Sequence, residues 1–401
     1  MKRRIFISTG EVSGDLQGAT LVTALFEQAK VQGIELEILA LGGARMQQAG
    51  ATLLGDTRAI SSIGLVEAIP QILPTLKLQR QAQAVLKAHP PDLVILIDYI
   101  GANLKIGRFV RQQFPDIPIV YYIAPQEWVW SLNDKNTNQI AAITDRVLAI
   151  FPEEAAYYQR FGIDAKFIGH PLIDQLRHLP DRQAARQQLG IPPEQVALLL
   201  SPASRTQELK YLLPEIFAAA QTVQSQIPQV HFWIPLALPQ FRPAIEAAIA
   251  KYQLNANIIP GDQGRIAIAA ADLAITKSGT INLEMALLNV PQVVTYRLSA
   301  FTAWVGYKLL KLTIPFASPV NLVLMREVVP ELLQDNMKAD AIAAKVLETI
   351  QPQNRERILA DYQAIRDEFG EFGVCDRAAN IILEMLNPNA KSRPTADSVP
   401  N

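Results

Sequence analysis

Cysteine is almost missing from this chain: Cys375 is the single one among 401 residues. An intrachain disulfide and a cysteine-rich metal site are excluded, and a reducing compartment is the simplest setting. Metal signatures are also absent. There is no D-x-D and no H-E-x-x-H, and the four histidines, His89, His170, His178 and His231, fit no ligand spacing. No G-x-S-x-G elbow is present, which disfavours a serine hydrolase of that design. The net charge is only -1, so the chain lacks the basic excess that grips nucleic acid. No apolar run approaches the roughly 20 residues that cross a bilayer. The opening MKRRIFISTG has a five-residue apolar stretch, too short for a signal-peptide core. The expectation is a protein that is soluble or lies on a membrane without spanning it.

Apolar residues are plentiful, at 49%, against 19% charged, enough to bury large cores. At this length two domains are expected. Strand-like runs alternate with helix-like runs: RRIFIST, ELEILALGG, PDLVILIDY, IPIVYYIAP, DRVLAIF and AKFIGHP. A second series follows, with VALLLSP, HFWIPLA, NANIIPG, DLAIT and PQVVTYR. Buried apolar strands separated by amphipathic helices predict an α/β fold of two doubly wound, Rossmann-like domains, with ligand in a cleft between their strand carboxyl ends. The expected boundaries are 1–168, 169–345, helices 346–387 returning to the first domain, and a disordered tail from 388.

Several strand ends carry chemistry. ISTGEVSGD, residues 7–15, has the glycines of a nucleotide turn, Gly10 and Gly14, but also Glu11 and Asp15, which would repel a phosphate. PDLVILID ends on Asp98, a candidate general base, followed by Asn103, which could orient a hydroxyl. In the second series, SPASRTQE offers Ser204 and Arg205, and a guanidinium fork matches phosphate oxygens. DLAIT runs into KSGT, where Ser278, Gly279 and Thr280 head a helix whose amides suit a pyrophosphate, with Glu284 one turn on for ribose hydroxyls. Each of these has a plain alternative as a helix cap or a solvent-facing charge. SAFTAWVGYKLLKLT, with Trp304, Tyr307, Lys308 and Lys311, suits a membrane interface, although core or dimer packing is the commoner explanation of such a stretch. The same holds for SIGLVEAIPQILPTLKLQRQAQ.

Taken in order, GEVSGD, LID, PQEWVW at 125–130, FIGHP, SGT with Glu284, and SPVNL ending at Leu322 resemble the lipid-A-disaccharide synthases, glycosyltransferases of the GT-B fold. The resemblance implies transfer of 2,3-diacylglucosamine from its UDP-linked form to 2,3-diacylglucosamine 1-phosphate. The product is a β-1,6 disaccharide, with the anomeric centre inverted and no metal or cofactor. It implies work on the cytoplasmic face of the inner membrane and leaves a homodimer open. Asp98 aligns with the family's essential acid, and Arg205 and Asn321 with donor-side positions. Glu11, Ser13, Gly14, Asp15, Asn103 and Trp128 fall to the acceptor side. The chain departs from the family at Ile100, Gly101 and Ala102, where a Pro-Asp-Phe run is common, and at Gln126, Glu127 and Ala203. Competing readings are another nucleotide-sugar enzyme, such as a UDP-N-acetylglucosamine 2-epimerase or a muramyl-lipid glycosyltransferase, and a dinucleotide oxidoreductase or non-catalytic nucleotide-binding module. The last two are disfavoured by the missing G-x-G-x-x-G.

Overall fold

The computed structural model describes residues 2–10, 12–57, 72–130, 133–297 and 316–386. The strands form where the sequence runs are apolar and β-branched. In the first sheet these are β1 (Lys2–Thr9), β2 (Glu35–Gly42), β3 (Thr52–Asp56), β4 (Leu93–Ile97), β5 (Ile119–Tyr122), β6 (Arg146–Ala149) and β7 (Asp164–Phe167). They pair in parallel in the order β3-β2-β1-β4-β5-β6-β7. Strand β4, LVILI, is buried at every residue, as expected of a central strand covered on both faces.

The second sheet contains β8 (Val196–Ser201), β9 (Val230–Pro235), β10 (Ala256–Ile259), β11 (Leu273–Lys277), β12 (Gln292–Tyr296) and β13 (Glu331–Leu333). Its order is β10-β9-β8-β11-β12-β13, again parallel. Helices interleave with the strands in both sheets, so the two doubly wound α/β units expected from the alternation are present. In each sheet the winding direction reverses at one place, between β1 and β4 in the first and between β8 and β11 in the second. At such a reversal the connecting helices leave on opposite faces, and a crevice opens at the strand carboxyl ends.

The chain divides into one unit of Met1–Gln175 with Phe369–Asn401 and another of Leu176–Glu368. The core of the first sheet gathers Phe6, Val94, Leu96, Ile119, Tyr121 and Tyr158. The second has a core on each sheet face, around Leu198, Phe217 and Phe232 on one side and Leu199, Trp233 and Met285 on the other. The return of the chain to the first unit begins at Phe369, later than the residue 346 expected from sequence. The helix Pro352–Phe369 stays with the second unit because Tyr362, fully buried, donates its hydroxyl to the Val290 carbonyl (3.2 Å), and Arg366 donates to Asn289 (2.6 Å).

The helix Val374–Met385 belongs to the first unit and lies along the helix Val12–Val31. Asp174 accepts its leading amides, Gly373 N at 2.7 Å and Cys375 N at 2.9 Å. No described helix is long and apolar enough to cross a membrane. Glu11, Trp304, Tyr307, Lys308, Lys311 and the tail from 388 lie outside the described residues, as does all of SIGLVEAIP.

Candidate active site

In the first unit, the β1 and β4 ends lie side by side, with Thr9 opposite Ile97. The two glycines of the β1 turn are there for close approach. A Cβ on Gly10 would lie 2.2 Å from the Tyr99 ring, and one on Gly14 would lie 1.8 Å from Thr9 Oγ1. A side chain at either position would require Tyr99 or Thr9 to move. Asp15 is 1% exposed, and its carboxylate accepts the amides of Gly43 (2.8 Å), Met46 (3.1 Å) and Arg45 (3.3 Å). It caps the helix Ala44–Gln48 rather than its own, and its acceptor capacity is turned inward. Ser13 is half-buried on the first turn of the helix Val12–Val31.

Asp98 and Tyr99 have φ of +48° and +34°, a left-handed turn made by two consecutive residues with side chains. Such a turn is strained and persists only where its surroundings hold it. Here the Asp98 amide donates to Ile123 O at 2.9 Å. The Asp98 carbonyl accepts from Asn103 Nδ2 and from the Tyr121 hydroxyl, both at 2.8 Å. Asn103 is fully buried and also bonds Ile97 O (2.9 Å) and Ser8 Oγ (2.8 Å). Its expected task of orienting a substrate hydroxyl is therefore corrected: it holds the backbone that presents Asp98. Trp128, on the short helix Glu127–Trp130, packs 5.9 Å from the Phe151 ring, and its Nε1 is buried without a hydrogen-bond partner.

In the second unit, the turn after β8 carries Ser204, exposed, and Arg205, whose side chain is 37% exposed. Glu208 organises both. Its Oε2 accepts from Ser204 N (2.7 Å), Ser204 Oγ (3.2 Å) and Arg205 N (3.1 Å), the reach-back of a capping box. Its Oε1 meets Arg205 at 3.4 Å and Lys277 Nζ at 3.5 Å. Lys277 closes β11, so one carboxylate ties together the turns on either side of the reversal. Burial holds the Lys277 ammonium below its usual pKa range, partly offset by Glu208 and aggravated by Arg205. Two cations sharing one carboxylate leave a surplus positive charge in a poorly solvated place, which suits an anion.

After Lys277, Gly279 takes φ +152°, and its amide donates to Asn282 Oδ1 (2.8 Å), so it is taken up within the turn. Thr280 is exposed and precedes the helix Ile281–Leu287, whose Asn282 and Leu283 amides already donate to Gly279 O and Thr280 O, each at 3.0 Å. Glu284 pairs with Arg265 through contacts of 3.0 and 3.2 Å. Ser278 donates its hydroxyl to Ala317 O (2.6 Å). The Ala317 and Ser318 amides donate in turn to Glu331, each at 2.8 Å.

Asn321 is fully buried: Nδ2 donates to Val329 O (2.9 Å) and Glu331 (2.8 Å), while Oδ1 accepts from Val328 N (2.8 Å) and Val329 N (3.0 Å). That fills its side-chain capacity. Asn321 builds the loop that backs Ser278 and has no bond left for a donor. Sequence reasoning missed Glu208 and Lys277. The available signals were the S-x-x-x-E spacing from Ser204 and a lysine directly before SGT.

These two strand-end constellations can be set beside known proteins. The family model for lipid-A-disaccharide synthetase matches residues 5–385. The chain belongs to that family. The lipid-A-disaccharide synthase of Gloeothece citriformis is 54% identical over 384 residues, covering 96% of this chain and 100% of that protein. That of Synechocystis sp. is 50% identical over 392 residues, covering 97% and 100%. Members of this family are glycosyltransferases, and this chain is one. Among solved structures, UDP-GlcNAc 2-epimerase from Neisseria meningitidis, bound to UDP-GlcNAc, superposes with TM-score 0.64 at 14% identity, covering 96% of this chain and 99% of that one. A glycosyltransferase from Rickettsia africae gives 0.55 at 12%, covering 96% and 99%. At such identities the likeness is one of fold alone.

Proposed function

We propose that this lipid-A-disaccharide synthase family member transfers 2,3-diacylglucosamine from UDP to the 6-hydroxyl of 2,3-diacylglucosamine 1-phosphate, with inversion. The acceptor oxygen forms a bond to the anomeric carbon, Asp98 takes the hydroxyl proton, and the bond to the UDP oxygen breaks with its electrons. What carries the reading is the contrast between the two winding reversals. One presents a carboxylate on a strained, braced turn; the other gathers Arg205 and Lys277 about a single Glu208. The first arrangement fits a general base and the second a departing diphosphate.

Ser204, Arg205, Lys277 and the exposed turn at Thr280 form the donor side, with Glu284 toward the ribose. Ser13, Gly14 and the unpartnered Trp128 Nε1 form the acceptor side, together with Glu11 on sequence grounds. Asp15, Asn103, Ser278 and Asn321 enter as positioning residues. Incubating the purified protein with the two diacylglucosamine substrates should yield the disaccharide 1-phosphate by mass spectrometry, with one UDP per product. Stabilisation by NAD and not by UDP in a thermal melt, with no product, would overturn the reading.

Both proposed substrates are acylated, so contact with the cytoplasmic face of the inner membrane forms part of the proposal. It rests on the sequence of the stretch holding Trp304, Tyr307, Lys308 and Lys311. Replacing Trp304 and Tyr307 by Ser should lower co-flotation with anionic vesicles; equal flotation rejects this surface.

A further inference from the structure

One buried acid in the first unit has no part in the transfer described above. Glu154 is 1% exposed, on the first turn of the helix Pro152–Arg160. Its Oε2 accepts from Ile150 N at 2.8 Å, while Oε1 is buried without a hydrogen-bond partner. A carboxylate here would hold its charge in a dry interior, at high cost.

The surroundings agree. Burial is the main cause that pushes the Glu154 carboxyl up to about 8, with backbone amides of Ile150, Phe151 and Ala124 opposing the rise and the Asp98 charge adding to it. The titratable groups coupled to it are Asp98, just after β4, and Tyr158 on its own helix, which in turn feels Tyr121, Glu127 and Tyr157.

The segment beside Glu154 is the one that braces Asp98. Ile123 O accepts the Asp98 amide (2.9 Å), and Ile123 itself sits at φ +57°. Two residues on, Pro125 O accepts the Tyr158 hydroxyl (2.7 Å), one turn along the helix from Glu154. Tyr121 donates to Asp98 O (2.8 Å). Glu154, beside the Ala124 amide, and Tyr158, bonded to Pro125, thus form a floor for Ile123–Pro125, the segment that bonds the strained Asp98 turn.

We propose that Glu154, kept as a neutral acid, is a positioning residue for Asp98, acting through the Ile123–Pro125 segment, and that its ionisation disrupts the floor and stops transfer. The proposal rests on the reading of Asp98 as the base. It assigns no contact between Glu154 and substrate.

The test is turnover against pH from 6 to 9.5 for wild type, Glu154→Gln and Asp98→Asn, with UDP affinity measured alongside. Glu154→Gln keeps the shape and cannot ionise. Wild-type kcat should fall about tenfold between pH 7 and pH 9, the loss expected when a group titrating near 8 must stay protonated. Glu154→Gln should keep turnover within about twofold of wild type at pH 7 and lose the alkaline fall, with UDP affinity unchanged in both. A wild-type profile flat to pH 9.5, or a Glu154→Gln profile superimposing on a falling wild-type one, overturns the proposal. If Asp98→Asn also turns over normally, the base assignment itself fails; if Asp98→Asn is dead, only the role of Glu154 is lost.

Discussion

The two winding reversals share one topology and differ in how they use polar groups. At β1 and β4 the buried polar side chains are neutral or turned inward. Asn103 and Tyr121 hold backbone, and Asp15 caps a distant helix. At β8 and β11 the groups are ionised and shared, with Glu208 between Arg205 and Lys277 and Glu284 against Arg265. The same sheet design therefore yields a rigid, low-charge seat in one unit and a cationic one in the other. A sugar hydroxyl and a diphosphate ask for those two environments respectively.

The sharpest way to break this comparison is at its two ends. Asp98→Asn should reduce kcat by about 100-fold or more while UDP binds as before in calorimetry; retained turnover would remove the first unit from the chemistry. Arg205→Ala, measured the same way, should weaken UDP binding and cost about 3 to 4 kcal/mol in kcat/KM. If only the acceptor KM moved, the assignment of the cationic seat would be reversed.

Smaller effects sharpen the contrast. Asn321→Ala strands two amides and a carbonyl in a buried loop, and should lower unfolding free energy by about 2 to 3 kcal/mol in urea titration. An unchanged midpoint would show that the loop is held by something else.

His170 tests the neutrality of the first unit. It is stacked on Phe369, with centroids 4.3 Å apart, and its Nδ1 accepts the Leu172 amide. Burial drives its pKa down to about 3. Because the folded value lies below the unfolded one, the unfolded chain takes up the proton first as pH falls. Stability is complete above about 6.5 and drains away toward 3, by about 2 kcal/mol already at pH 5. His170→Phe should flatten that acid limb of melting temperature against pH, and a limb of the same slope would contradict the buried neutral ring. Asp15→Asn should cost least, about 1 kcal/mol, through the weakened cap on Ala44–Gln48, read as a small shift in the melting midpoint with UDP affinity unaffected.

Much of this was legible in the sequence because period and turn chemistry are local. The apolar runs announced the strands of both sheets, and the glycine turn after β1 and the KSGT turn after β11 were visible as breaks in pattern. The tasks of individual polar residues were less so. Nothing in I-G-A-N tells that Asn103, on the helix Ile100–Gln113, meets Ser8 on β1, nor does S-G-D tell that Asp15 reaches the helix after β2. SPVNL gives no hint that Glu331 and three backbone groups absorb Asn321. Those partners are set by sheet order, which brings β1 beside β4 and β8 beside β11 only after the crossovers have formed. The positive φ values at Asp98 and Tyr99 were equally hidden, since neither residue is a glycine.

The final helix gives the fold a history. Val374, Ala378, Ile381 and Ile382 are buried within the unit that begins the chain, and Gln28 and Gln32 bond Asp376 and Asn380 across the seam. On the ribosome, the strands of the first sheet emerge early, yet the face of Val12–Val31 waits uncovered while the whole second unit is synthesised. The first unit reaches its finished form only after Val374–Met385 has emerged behind the second unit, so the part of the fold made first is completed late.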